Sequence, residues 1–243
     1  MKNILFSSLA AAVLAGGALK AQTFNDASGD IDPSISTGGG TLDILSTEVS
    51  NPTPTDIRFN ITVNGNISTN TGGVDWGNFM VGIATGGTGT TTGNAWNRPI
   101  NLNSPIGGMN YWIGSWVNGG GGAQLWSYNG TSWIEQTGSA PTISLTAGAT
   151  SQISLTLLFA SIGAPSGDWY FDVYSSGGGA SDSAVDALSN PDVAITSWAG
   201  PYTSSQNPPG TGISVVPEPS TYALLAISAL GLAGYAARRR ARR

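Results

Sequence analysis

Asp56-Ile57-Arg58-Phe59-Asn60-Ile61-Thr62-Val63-Asn64-Gly65 decides the fold class. Apolar residues take every second position, Ile57, Phe59, Ile61 and Val63, and polar residues stand between them. Successive side chains of a strand point to opposite faces, so this spacing predicts a β-strand with one buried face. The Asn64-Gly65 pair that follows is a hairpin-turn signal. Ile153, Leu155, Leu157 and Phe159 repeat the alternation, as do Phe79, Val81 and Ile83. Trp169, Phe171 and Val173 make another run, with Tyr170, Asp172 and Tyr174 on its opposite face. Residues 42–49, 111–117, 123–128 and 193–198 are further candidate strands, and Asn129-Gly130 turns 123–128 back into 132–136.

No long helical period appears between the two ends of the chain, although residues 183–188 would form one helical turn. The glycine-rich stretches 72–73, 86–93, 119–122 and 177–179 read as loops. Eight or more short strands with such connections predict an all-β fold, an antiparallel β-sandwich of jelly-roll type, over residues 22–201. Residues 202–215, rich in Ser, Pro, Asn and Gly, read as a linker.

Composition narrows the chemistry. The 243 residues include no cysteine and no histidine, which excludes thiol nucleophiles, zinc–thiolate sites, disulfide scaffolds and His-based triads. What remains is carboxylates, hydroxyls, aromatic faces and hard cations held by oxygen. The formal charge is −5, yet most of the basic residues sit at the two ends. Between Gln22 and Val216, Arg58 and Arg98 alone face all of the 14 acidic residues except Glu218. A body this acidic repels phosphate backbones, so nucleic acid is not an expected partner. Eight Trp, seven Tyr and six Phe argue for a packed core despite 35 glycines.

Both ends read as processing segments. Met1-Lys2-Asn3 is a short basic start, residues 4–18 are apolar or small, and small residues follow up to Ala21. This is the three-part layout of a secretory signal peptide, expected over residues 1–21 and removed by signal peptidase after Ala21, with Ala18 as the alternative site. At the other end, Val216-Pro217-Glu218-Pro219-Ser220-Thr221 precedes residues 222–237, which carry no charge and many Ala and Leu. As a helix at about 1.5 Å per residue this segment is about 24 Å long, just short of a bilayer's hydrocarbon core. Arg238, Arg239, Arg240, Arg242 and Arg243 follow it and should stay in the cytoplasm by the positive-inside rule. The acidic body then emerges on the far side of the membrane, in agreement with the leader.

Pro217-Glu218-Pro219, a short apolar helix and a terminal arginine cluster together resemble the PEP-CTERM sorting signal, over residues 216–243. The resemblance implies a precursor held transiently in the inner membrane by a single transmembrane helix, 222–237. It implies an exosortase-type enzyme that cuts near the PEP residues, followed by release to the cell surface or outside, often among extracellular polysaccharide. Two prolines keep residues 217–220 extended and open to a protease.

Two constellations in the body carry candidate chemistry. Asp26, Asp30 and Asp32 crowd one Gly-containing stretch, and Asp43 opens the next strand. Calcium takes six to eight oxygen ligands, which clustered carboxylates supply; the alternative is aspartates that cap loops. This opening, with Leu42-Asp43-Ile44 and Ile57-Arg58-Phe59-Asn60-Ile61, also resembles family 9-like carbohydrate-binding and DOMON-like sandwiches, which implies sugar or ligand binding. The second constellation is aromatic. Trp112 and Trp116 share one face of a strand, and Trp126 and Tyr128 share a face of the next. Facing outward, they would form a stacking platform for sugar rings with Asn94, Asn97, Arg98 and Asn110 nearby; facing inward, they fill the core. A glycoside-hydrolase carboxylate pair drawn from Asp168, Asp172, Asp182 and Asp186 ranks third, because no catalytic motif surrounds them. The expectation is therefore a non-enzymatic structural or adhesive protein, with carbohydrate binding as the alternative.

Overall fold

The alternation at Ile57, Phe59, Ile61 and Val63 is realised as a strand in which these four residues are buried and their neighbours are half-exposed. The computed structural model describes residues 21–35, 40–69 and 77–204. They form fourteen strands: β1 (Ala21–Asn25), β2 (Ile44–Ser50), β3 (Asp56–Asn64), β4 (Asn78–Ala84), β5 (Ile100–Ser104), β6 (Gly107–Gly108), β7 (Tyr111–Trp116), β8 (Gly122–Tyr128), β9 (Trp133–Glu135), β10 (Thr142–Thr146), β11 (Thr150–Leu158), β12 (Tyr170–Ser176), β13 (Asp186–Ala187) and β14 (Tyr202–Ser204). Among the described residues the only helices are single 3-10 turns, and none is long and apolar enough to cross a membrane. The leader, the helix expected over 222–237 and the arginine cluster lie outside the described residues.

Two antiparallel sheets make the sandwich, one ordered β1-β2-β3-β11-β10 and the other β13-β12-β4-β7-β8-β9. Their inner faces meet through aromatic contacts. Phe59 of β3 stands edge-on to Phe171 of β12 with ring centroids 5.6 Å apart, and Phe24 of β1 meets the same ring at 5.1 Å. Each such buried ring contributes about 1.5–3 kcal/mol relative to an exposed one. Chain reversal at Asn129-Gly130 joins β8 to β9 as expected.

A third, small sheet, β14-β5-β6, lies over the outer face of the second sheet. It explains why β4 is buried at all seven positions and not only at Phe79, Val81 and Ile83. Tyr202 of β14 meets Tyr174 edge-on at 6.1 Å. A side chain on Gly82 would overlap Met109 Sδ, and one on Gly114 would run into the Trp96 ring. These two glycines let the cover approach the sheet closely.

Several expectations are corrected. Asn64-Gly65 is not a hairpin turn: β3 pairs with β2 and β11, Gly65 bridges Thr150, and the next strand, β4, belongs to the other sheet. The helical turn expected at 183–188 is instead the short edge strand β13, whose Asp186 and Ala187 pair with Ser175 and Tyr174. Residues 193–198 form no strand; Ile195 is buried from an irregular segment. The body also runs past residue 201, since Tyr202–Ser204 pairs in parallel with β5 and so stands outside any linker. Ala21 likewise pairs with Ser50, inside the sheet, and Gly122 belongs to β8.

Candidate functional site

The acidic constellation converges at one corner of the sandwich. Its placement begins with a β-bulge in β2, where the register against β3 shifts between Ile44 and Ser46 and leaves Leu45 as the extra residue. A bulge takes backbone groups out of the ladder and re-aims them. Here the Ile44 N–H donates to Asp186 Oδ2 (2.6 Å), and the Leu45 carbonyl accepts the Asp26 N–H (3.0 Å). Ser175 Oγ donates to the Leu42 carbonyl at 2.5 Å, tying the same segment to β12. The bulge therefore joins the start of β2 to the segment after β1 and to β13 of the facing sheet.

Asp26, Asp30 and Asp186 each bring a carboxylate oxygen to this corner, and these oxygens lie within 4.8 Å of one another. Asp186 is almost wholly buried, and its Oδ1 accepts its neighbour's Ala187 N–H (2.7 Å). Asp43, 3 % exposed, sits beside them: its Oδ2 accepts from Gly29 N (2.9 Å) and Asn64 Nδ2 (3.1 Å). Four oxygens of the four carboxyl groups, Asp26 Oδ2, both of Asp30 and Asp43 Oδ1, are buried with no donor from another residue.

The electrostatics are one-sided. Burial pushes the Asp26 carboxyl up to about 8, against the pull of the Ala27 N–H and with further lift from Asp30, Asp172 and Asp43. Asp30 rises to about 6, again chiefly by burial, with Asp43 and Asp192 adding to it. Asp186 lies well above the carboxylate range for the same reason, and Asp26 and Asp30 lift it further. Every charged neighbour acting on these three groups is negative. Arg98 is engaged elsewhere, donating to Ser176 Oγ, the Asp182 carbonyl and the Gly177 carbonyl.

Asp32 does not join the group. It lies at the surface, where its Oδ1 accepts from the Ser34 hydroxyl and N–H, and the hydroxyl first of all holds its carboxyl below the usual range. Asp186, considered from the sequence only as a glycosidase carboxylate, joins the group instead from a point far along the chain from Asp30. Its one signal is a lone charge inside the apolar run Ala184-Val185-Asp186-Ala187-Leu188.

Of the glycosidase candidates, Asp172 is fully buried and accepts from Ser189 N–H and Oγ. Burial lifts its carboxyl to about 6 against those hydrogen bonds. Asp182 caps the Gly179 N–H, and Asp168 is exposed.

The aromatic residues divide. Trp112 and Trp126 are register partners, so with Gly114, Trp116 and Tyr128 they share the outer face of the second sheet. Trp112 is fully buried there, stacked on Tyr174 at 6.0 Å, and no sugar can reach it. Trp116 is half-buried against Trp96 at 6.5 Å, and the Trp96 indole N–H is held by Gln124 Oε1. Asn94 and Asn110 are likewise buried and bonded to the backbone: Asn94 Nδ2 donates to the Arg98 and Ile100 carbonyls, and Asn110 Oδ1 accepts from Thr85 N–H. Trp126 and Tyr128 are half-exposed, and Trp133 of the edge strand β9 lies 5.4 Å from Tyr128. The outer face is thus core beneath the cover and open aromatic surface at the β8–β9 edge.

The model of the PEP-CTERM protein-sorting motif matches residues 215–241. The match takes in Pro217, Glu218, Pro219 and three of the terminal arginines, and it implies an exosortase-type processing partner and an exported, surface-directed chain. Among curated proteins, none matches the sequence.

Proposed function

We propose that the chain is a non-catalytic surface or extracellular-matrix protein, whose β-sandwich is a structural or adhesive body delivered by its C-terminal sorting signal. The observation that carries this reading is the sorting motif at 215–241, placed directly after a strongly acidic body. Signal peptidase would act after Ala21, the apolar segment 222–237 would hold the precursor in the inner membrane, and an exosortase-type enzyme would cut near Pro217-Glu218-Pro219. A surface rich in Ser, Thr, Asn and Gly, with sparse and mostly acidic charge, supports hydrogen bonding to extracellular polysaccharide without a defined pocket.

The test is to follow the chain through cell fractions and to read the termini of the exported form by mass spectrometry. The expected wild-type product lacks both the leader and the tail. Joint substitution Pro217→Ala, Glu218→Ala and Pro219→Ala should leave an uncut precursor in the membrane fraction. Intact chain in the soluble cell interior would refute the proposal.

A second reading is carbohydrate binding, and one observation favours it: Trp126, Tyr128 and Trp133 share a half-exposed face at the β8–β9 edge. Aromatic faces of this kind pack on the C–H faces of sugar rings. Glycan-array binding that is lost in Tyr128→Ala and Trp133→Ala would support it.

A further inference from the structure

We infer that Asp26, Asp30 and Asp186, with Asp43 beside them, hold one calcium ion that clamps the β1–β2 end of one sheet to the β13 edge of the other. The geometric ground is the convergence of three carboxylate oxygens within 4.8 Å, two from the loop that follows β1 of one sheet and one from β13 of the other. Proximity of acids alone is common, and a second observation separates this group from a solvated acidic patch. Its oxygens are buried, and four of them meet no donor from another residue, including Oδ1 of the 97 %-buried side chain Asp43. A buried oxygen left without a partner costs stability, and more when it is charged. Four such atoms in one corner, with no basic residue bonded to them among the described residues, call for a positive charge that protein atoms do not supply.

The chemistry of the donors names the class of cation. All are hard carboxylate oxygens, and the chain has no histidine or cysteine to favour zinc or copper. Magnesium demands near-ideal octahedral geometry and keeps much of its water, whereas calcium accepts six to eight oxygens in flexible arrangements. A site built partly from the 26–30 loop and partly from strand β13 suits calcium. Nearby backbone carbonyls and water would complete its shell. The inference concerns the body alone and does not depend on the sorting signal or on sugar binding.

The experiment uses the full chain, purified in mild detergent and stripped of metal with a chelator. Calorimetric titration with calcium should give one ion per chain, and calcium should raise the melting temperature more than magnesium does at equal concentration. Asp30→Asn is the decisive variant, because it removes a charge whose two oxygens hold no bond to another residue. The expected result has two parts: the calcium-induced rise disappears, and the metal-free variant melts at or above the metal-free wild type. Absence of any calcium effect on the wild type up to about 5 mM, well above the dissociation constants typical of extracellular calcium modules, would overturn the inference. So would an undiminished calcium effect in Asp30→Asn, or a metal-free variant that melts far below the wild type.

Discussion

Two regions of this molecule bury side chains that its sequence marks for binding, and burial means opposite things in them. Beneath the third sheet, Trp112 stacks on Tyr174 with no exposed surface. At the opening of β2, Asp26, Asp30, Asp43 and Asp186 crowd together with several oxygens unbonded. An aromatic ring gains free energy on leaving water, enough to carry even the unbonded indole N–H that Trp112 buries with it. A carboxylate loses solvation, and its burial demands either a proton or a cation. The contrast teaches that a candidate residue should be judged by the charge its burial leaves uncompensated, and not by whether it is exposed.

The largest effect should come from the aromatic side. Trp112→Ala is expected to cost about 3–5 kcal/mol, as for other large buried rings cut to alanine, and is read by chemical denaturation. If the variant were as stable as the wild type, Trp112 would not be core and the contrast would break. The same variant should leave the calcium response of whatever folds intact, since it lies on the outer face of the second sheet.

The carboxylate side makes a prediction with a sign. In metal-free protein, Asp26 at about 8, Asp30 at about 6 and Asp186 well above its ordinary range all exceed the value of 3.8 that applies when unfolded. The folded chain then binds more protons than the unfolded chain, so stability falls as pH rises. The contribution is complete below about pH 4 and is lost progressively as pH passes through 6 and 8. Asp172, buried on the neighbouring strand β12 and raised to about 6, adds to the same trend. With calcium present the carboxylates hold the ion in place of protons, so the benefit of calcium should grow with pH. Melting curves from pH 5 to 8, with and without calcium, check both slopes. A metal-free chain that grows more stable over that range would contradict the account.

The smallest effect is a control. Asp32→Asn should leave both the melt and the calcium response unchanged, because among the described residues the Asp32 side chain bonds only to Ser34, at the surface. Loss of the calcium response in this variant would move the site toward the 26–32 loop and away from the corner.

The fold was legible wherever one face of a strand is wet. β3 and β11 show alternating burial, so a period of two in the sequence predicts them. Legibility failed where a second layer covers the sheet or where pairing is set by distant residues. β4 is apolar on both faces because the third sheet covers it, and β14 is a three-residue parallel strand whose ladder partner, β5, stands about 100 residues earlier. β13 lies in a buried run whose period fits a helical turn as well as a strand, and only its pairing with β12 decides between them.

The site divides in the same way. Asp26, Asp30 and Asp43 were legible as acids close in sequence around a turn. Asp186 was not, because it reaches them through the closure of one sheet on the other and through the bulge at Leu45, which frees the Ile44 N–H to hold it. Trp112 was read as a candidate by spacing alone; the cover formed by residues 96–109 and β14 fixed its fate.

One measurement tests the central claim most directly: a crystal structure of the chain grown with calcium, with anomalous scattering used to locate the ion. The account predicts a single peak between Asp26, Asp30 and Asp186, with oxygens at about 2.3–2.6 Å. A corner filled only by water, with the carboxyl groups bonded to one another through shared protons, would contradict it.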